Sequence, residues 1–236
     1  MPTVAPLIIA HRGASAEKPE NTLAAFRRAL ALKVDGVELD VHLTRDGVPV
    51  VFHDAGLFRL TGIRGLVAAR TWRELKKLRV AGTEPIPRLV DVLRLIRGRV
   101  SVQIEVKPGV PVAPIVRAIK AARAGKWVLL ASFAPGLVRE ARRLAPAVPR
   151  MLIAEGGRTP ASLVRELAAV GACGLSVNHR AVRDAAWLRY FHSRGFTVWC
   201  WTVNYAARMR QLAGWGIDAI LTDNPALLCA VFGQKS

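Results

Sequence analysis

Cysteine is scarce, with only Cys173, Cys200 and Cys229 in 236 residues. Their spacing matches no structural zinc site, and an odd number does not close a disulfide framework. A reducing compartment, the cytoplasm, is the expected location. Long apolar runs are also missing. Although 52% of the residues are hydrophobic, no stretch reaches the roughly 18 uninterrupted apolar residues of a membrane span. The opening MPTVAPLIIAHRG lacks a basic n-region and a cleavage-like site, so it does not read as a secretory leader. No low-complexity tract or linker divides the chain, which predicts one domain over residues 1–236. Acidic residues are few, 17 against 35 lysines and arginines, for a net charge of +18. Such a charge admits a nucleic-acid partner, an anionic lipid or substrate, or a bias of composition. Arg27, Arg28, Arg142 and Arg143 are spread over several predicted helices, which favours bias. Zinc-finger spacing, a basic region with heptads and an aromatic RNA-binding strand are all absent, so no specific nucleic acid is expected. Neither GxGxxG nor GxxxxGK[ST] follows the first apolar run, which removes the commonest nucleotide-binding folds.

What is present alternates. Leu7 to Ala10 is an apolar run that stops at His11-Arg12-Gly13, as strands do at the mouth of an α/β fold. In the next segment Leu23, Phe26 and Leu30 fall at i, i+3 and i+7, an amphipathic helix with Asn21 or Thr22 as N-cap. A second strand follows directly. Residues 54 to about 86 break the rhythm with several glycines, many basic residues and one short helix near Thr71 to Leu78; this segment is expected to be an insertion over the mouth. Thereafter strands at Val100 to Val106, Trp127 to Ser132, Arg150 to Ala154, Gly174 to Val177, Phe196 to Thr202 and Ala219 to Leu221 alternate with helical patterns. Setting aside an extra strand at Val48 to Phe52, eight strands alternate with eight helices. That count predicts an α/β (β/α)8 TIM barrel with a small insertion after the second strand.

The densest chemistry lies between Val34 and Asp54. Glu38 and Asp40 alternate with Val37, Leu39 and Val41, so on a strand both carboxylates project from one face, about 7 Å apart. Two acids at that distance repel and resist desolvation unless a cation, a proton or an arginine compensates. RDG then makes a turn, and VPVVF delivers His53-Asp54 close to the acids. In a barrel the polar ends of strands belong to one site. Those ends hold His11-Arg12, Glu38 and Asp40, Glu105 and Lys107, Ser132-Phe133, Glu155, Asn178-His179, Trp201 to Asn204, and Asp223. Three carboxylates from two strands suit a hard divalent cation, Mg²⁺, Ca²⁺ or Mn²⁺, better than zinc. Arg12 and Lys107 are then cations beside a cation site, and an anionic group such as a phosphate reconciles them. His11 and His53 exchange protons near neutral pH.

HRGASAEKPENTLAAF, DGVELDVHLTRDGVPVVFHD, LFRLTGIRG, IPRLVDVL, VQIEVKPG, Ser132-Phe133, WCWTVN and GIDAILTDNP, in that order, resemble the glycerophosphodiester phosphodiesterases. The resemblance runs from residue 8 to about 226. It implies a divalent-metal barrel enzyme that hydrolyses glycerophosphodiesters to glycerol 3-phosphate and an alcohol, and it is compatible with a cyclic-phosphate route. It further implies His11 and His53 as catalytic residues, Glu38, Asp40 and Glu105 as metal ligands, Arg12 and Lys107 as phosphate contacts, and Trp201 as an aromatic near the substrate. Arg88 departs from the family pattern, which usually has threonine or a similar residue there. A lysophospholipase D or phospholipase C-like lipase would use the same residues on a lipid, and an apolar rim on the insertion would favour it. The insertion's positive charge is expected to assist peripheral contact with an anionic membrane. A non-catalytic basic binding protein would require a decayed site. His42, His179 and His192 are expected to be structural, Glu20 and Asn21 to brace the first helix, and Asp223 and Asn224 to serve as turn and cap.

Overall fold

The computed structural model describes residues 5–233; residues 1–4, which begin the stretch read for a leader, and residues 234–236 lie outside it. β1 (Leu7–Ala10) leads through α1 (Leu23–Ala31) to β2 (Gly36–Leu43) and the short β3 (Pro49–Val51). The insertion holds α2 (Phe58–Thr61), a 3-10 turn at Val67–Ala69, α3 (Trp72–Leu75), β4 (Arg79–Val80) and β5 (Glu84–Pro85). Then come α4 (Leu89–Ile96), β6 (Ser101–Val106), α5 (Val112–Ala121), β7 (Val128–Ser132), α6 (Pro135–Leu144) and β8 (Arg150–Ala154). The series ends with α7 (Pro160–Val170), β9 (Gly174–Asn178), α8 (Ala185–His192), β10 (Thr197–Trp201), α9 (Ala206–Trp215), β11 (Ala219–Thr222) and α10 (Pro225–Phe232).

The strand order is β1-β11-β10-β9-β8-β7-β6-β2, and a β1–β2 pairing closes the ring. All eight of these strands pair in parallel, while β3 joins the edge of β2 antiparallel. The alternation in sequence therefore becomes the (β/α)8 barrel it predicts. Side chains on the outer strand faces, such as Val37, Leu39 and Val41, join Phe26, Leu89 and Leu93 of the surrounding helices in one buried layer. The inner face is a second, smaller cluster of Ile9, Ala131, Met151, Ile153, Trp199, Ala219 and Leu221. Its floor depends on two residues without side chains. A Cβ at Gly36 or Gly174 would come within 2.4 Å of Ser101 Oγ or Thr197 Oγ1 respectively, so larger residues there would force the strands apart.

The insertion has a core of its own, in which Val50 and Phe52 pack with Leu57, Val67, Leu75, Val80 and Ile86. The short helix expected near Thr71 to Leu78 is α3, four residues capped by a capping box of Thr71 with Glu74. Helix α2 has no side-chain cap and no buried residue within its four positions, so no periodicity announces it.

Candidate active site

Strand register assembles the acids. Asp40 of β2 lies opposite Glu105 of β6, and oxygens of Glu38, Asp40 and Glu105 come within 4.8 Å of one another, all three residues buried. Burial and the neighbouring Asp40 charge push the Glu38 carboxyl up to about 8. Burial, with Asp40 beside it, raises Glu105 as well. For Asp40, burial acts upward, but Lys107 and Arg12 outweigh it and hold the carboxyl well below the usual range. Lys107 Nζ is 2.5 Å from both Asp40 Oδ1 and Glu105 Oε1, and Arg12 Nε is 3.4 Å from Asp40 Oδ2. Glu38 has weaker compensation: it accepts the Arg12 backbone N–H at 3.0 Å and faces His11 Nε2 at 3.8 Å. An all-oxygen, buried set whose ionised form carries more negative charge than Lys107 and Arg12 offset fits a hard divalent cation, and these three carboxylates are the residues that would hold it.

The loop after β1 is shaped to serve this cluster. Arg12 and Asn21 both adopt left-handed backbone conformations, with φ of 57° and 59°, unusual for residues with side chains. The turn aims the Arg12 N–H at Glu38. Gly13 beside it is obligatory, because φ is +81° and a Cβ would sit 2.7 Å from the Ala25 backbone. Asn21 donates to Asp40 Oδ2 at 2.8 Å and accepts the Asp40 N–H at 3.3 Å. The helix cap is Thr22, whose hydroxyl accepts Ala25 N–H. Asn21 is therefore a brace for the acid strand rather than for the helix.

Each predicted histidine is held by a carboxylate. His11 Nδ1 lies 2.7 Å from Asp223 Oδ1, and Ser15 and Asn204 also donate to Asp223. Asp223 thus orients His11, a role beyond the turn expected of it. Burial acts upward on Asp223, yet the hydrogen bond and charge of His11 bring it down to about 2. His53 Nδ1 lies 2.6 Å from Asp54 Oδ1. Arg59 in turn binds Asp54 through two nitrogens, at 2.6 and 3.0 Å, and its hydrogen bonds hold Asp54 at about 2. The same guanidinium binds both oxygens of Glu20, at 2.9 and 2.8 Å, and Glu20 also accepts from Arg12 at 2.9 Å. Because ionised carboxylates only accept, each imidazole keeps its proton on Nδ1, and Nε2 is the nitrogen available for proton transfer.

His11, Arg12, Glu38, His53, Glu105 and Lys107 help line a cavity of about 220 Å³. Gln103, Phe133, Ile153, Ser176, Trp201, Thr202 and Leu221 line the rest, with Glu155. Phe133 meets Trp201 edge to face at 5.8 Å. Trp199, two residues before Trp201, belongs to the floor cluster beneath. Three polar atoms of this wall, Gln103 Oε1, Ser176 Oγ and Trp201 Nε1, are buried without a hydrogen-bond partner. The remaining histidines have other surroundings. His42 Nε2 lies 3.0 Å from the His53 carbonyl oxygen, His192 pairs with Asp218 at 2.8 Å, and His179 packs edge to face on Tyr205. Asn224 caps α10 by accepting Leu227 N–H, and Arg88 binds Asp91 through two bonds of 2.8 Å.

A family model described as the Glycerophosphoryl diester phosphodiesterase family matches residues 11–227. A glycerophosphodiester phosphodiesterase of Caldanaerobacter subterraneus subsp. tengcongensis is 34% identical over 94% of this chain and 96% of that protein. One from Bacillus altitudinis is 31% identical over 92% of this chain and 94% of its own length. Among solved structures, an Oleispira antarctica phosphodiesterase in complex with the product sn-glycerol-3-phosphate superposes with a TM-score of 0.88, at 27% identity over 96% of each chain. A glycerophosphodiester phosphodiesterase of Thermotoga maritima gives 0.83 at 26% identity, over 97% of this chain and 99% of that one.

Proposed function

The chain belongs to the glycerophosphoryl diester phosphodiesterase family, and from that premise we propose how its residues divide the hydrolysis of a glycerophosphodiester to glycerol 3-phosphate and an alcohol. The observation that carries the division is the pairing of His11 with Asp223 and His53 with Asp54, both histidines lining one cavity together with Glu38 and Glu105 of the acid cluster. One histidine takes the proton of the attacking oxygen, and the other protonates the departing alcohol. The carboxylate behind each ring fixes the tautomer and steadies the imidazolium as it forms. Arg12 and Lys107 line the same cavity, so a phosphate entering beside the acid cluster meets both and has its growing charge offset.

The reaction is metal-dependent, and Glu38, Asp40 and Glu105 supply the site, with Mg²⁺, Ca²⁺ or Mn²⁺ as the ion their oxygens suit. These three carboxylates would hold the cation, which would supply Lewis-acid polarisation of the phosphoryl group and offset their charge. The glycerol end enters the closed part of the cavity, where the unpartnered Gln103, Ser176 and Trp201 groups are matched by hydroxyls and Trp201 supplies an apolar face. The variable alcohol is left toward the open mouth. No described helix is long and apolar enough to cross a membrane, and three free thiols support the cytoplasm as the compartment.

The test is a panel of glycerophosphodiesters and lysophospholipids with coupled detection of glycerol 3-phosphate. The soluble diesters should turn over, chelation should abolish the reaction, and a divalent cation should restore it. No release from any diester, or full turnover after exhaustive chelation, would sink the assignment. Lysophospholipids in the same panel decide whether the site also accepts an acylated glycerol.

A further inference from the structure

Among the described residues five large hydrophobic side chains are exposed: Leu7, Phe58, Ile63, Leu66 and Tyr205. Three of the five fall within residues 58–66 of the insertion. That segment is ordered by its own backbone. Gly56 bridges Leu66, Leu57 N–H donates to the Gly65 carbonyl at 2.9 Å, Gly62 N–H to Phe58 at 2.8 Å, and Val67 N–H to Ala55 at 2.9 Å. Its inward position is already filled, since Leu57 is fully buried in the insertion's core. Phe58, at 62% exposure, and Leu66, at 54%, therefore face outward from a closed lobe. Arg59 fastens this lobe to the mouth of the barrel through Glu20 and Asp54.

Charge selects what the lobe meets. Arg59 is neutralised by its two acids, so it does not contribute the free charge that the basic composition of the insertion suggests. Glu74 lies 3.8 Å from both Arg45 and Arg70. Arg64, Arg73, Lys76 and Lys77 are exposed, and no ion pair to them occurs among the described residues. Exposed apolar side chains on a cationic lobe complement an anionic lipid surface, which offers an apolar layer beneath a layer of phosphate. A second copy of this chain is a poor occupant, because it would bring the same cations face to face. A nucleic acid would leave the apolar tip in water.

We propose that residues 56–66 dock the enzyme on an anionic bilayer, with Phe58, Ile63 and Leu66 entering the interface and Arg64, Arg73, Lys76 and Lys77 facing lipid phosphates. The mouth of the barrel is thereby held at the membrane plane. The functional meaning of this placement rests on the active site proposed above, but the docking itself is read without turnover. The experiment is co-sedimentation of the full chain with vesicles of phosphatidylcholine alone or mixed with phosphatidylglycerol, at physiological salt. Binding should be at least roughly tenfold stronger to the anionic vesicles. Phe58→Ser, Ile63→Ser and Leu66→Ser together should weaken it by a similar factor while leaving melting temperature and turnover of a soluble diester unchanged. Arg73→Glu, Lys76→Glu and Lys77→Glu together should abolish the anionic preference. Absence of vesicle binding, or binding insensitive to the three serines, overturns the proposal. So does a dimer in sedimentation velocity that the serine variant dissolves without any vesicle binding. If vesicles bind as stated but no diester is hydrolysed, the docking stands and the enzymatic assignment fails.

Discussion

Glu38 is a buried acid raised from 4.5 to about 8, and the sign of that shift has a consequence for stability. A carboxyl raised by folding stabilises the fold while it is protonated, and that contribution is lost as pH rises through the folded value. The metal-free protein should therefore melt at lower temperature as pH climbs from about 4.5 to about 8, and Glu38→Gln should flatten the trend. A saturating divalent cation should also flatten it, since the ion favours the ionised form, and calorimetry near pH 7 should detect proton release on binding. A melting temperature equally pH-dependent in Glu38→Gln would remove Glu38 as the cause. Replacing His11 or His53 by alanine should cost at least about 10²-fold in kcat/KM. A substrate with a very acidic leaving alcohol should rescue the variant that lacks the general acid and not the other. Asp223→Asn, acting through His11, should lower kcat and move one limb of the pH profile; loss of stability alone would leave both limbs in place. At Gln103 stability and function oppose each other. Its buried, unpartnered Oε1 costs roughly 1–3 kcal/mol, so Gln103→Leu should raise the melting temperature while raising KM for glycerophosphodiesters. A variant with unchanged KM would take Gln103 out of the glycerol pocket.

Charged side chains tie the insertion to the barrel mouth. Arg59 at the start of α2 links the insertion to the β1–α1 loop through Glu20 and holds Asp54 behind His53. Arg59→Met should speed deuterium exchange across residues 56–66 and lower kcat through a less well oriented His53, with little change in the exchange of the barrel strands. Asp54, lowered from 3.8 to about 2, contributes stability above its ordinary value that is lost as pH falls through about 2. The wild-type lobe should accordingly loosen within that acid window before the barrel unfolds. Exchange rates for the lobe that match wild type in Arg59→Met would show that its own backbone bonds suffice. In the barrel layer, truncating the fully buried Phe26 belongs to a different class of effect, costing about 3–5 kcal/mol through the cavity it leaves.

For the whole molecule, a net charge of +18 should attract anionic substrate over a Debye length of about 8 Å at physiological salt. It follows that kcat/KM should fall with ionic strength while kcat stays nearly constant, because steering acts on encounter and not on the chemical step. Equal salt dependence of both constants would return the charge to compositional bias. The sequence alone determined the barrel, through eight strand-helix alternations, and brought Glu38 with Asp40 and Glu105 with Lys107 onto common faces, because the strand period is two residues. It was silent on which strand ends meet. Asp223 and His11 are 212 positions apart and become neighbours because β11 pairs with β1, placing Thr222 beside Ala10. Asn21 and Glu20 looked like helix-capping residues, since local capping chemistry uses the same side chains that here reach Asp40, Arg12 and Arg59. Gln103 shares the period-two face of Glu105, but neither it nor Ser176 carries a charge that would mark it in the sequence as part of a site. Only closure of the barrel turned them inward to a cavity wall, because the direction of a strand face is set by its neighbours in space and not by its own sequence.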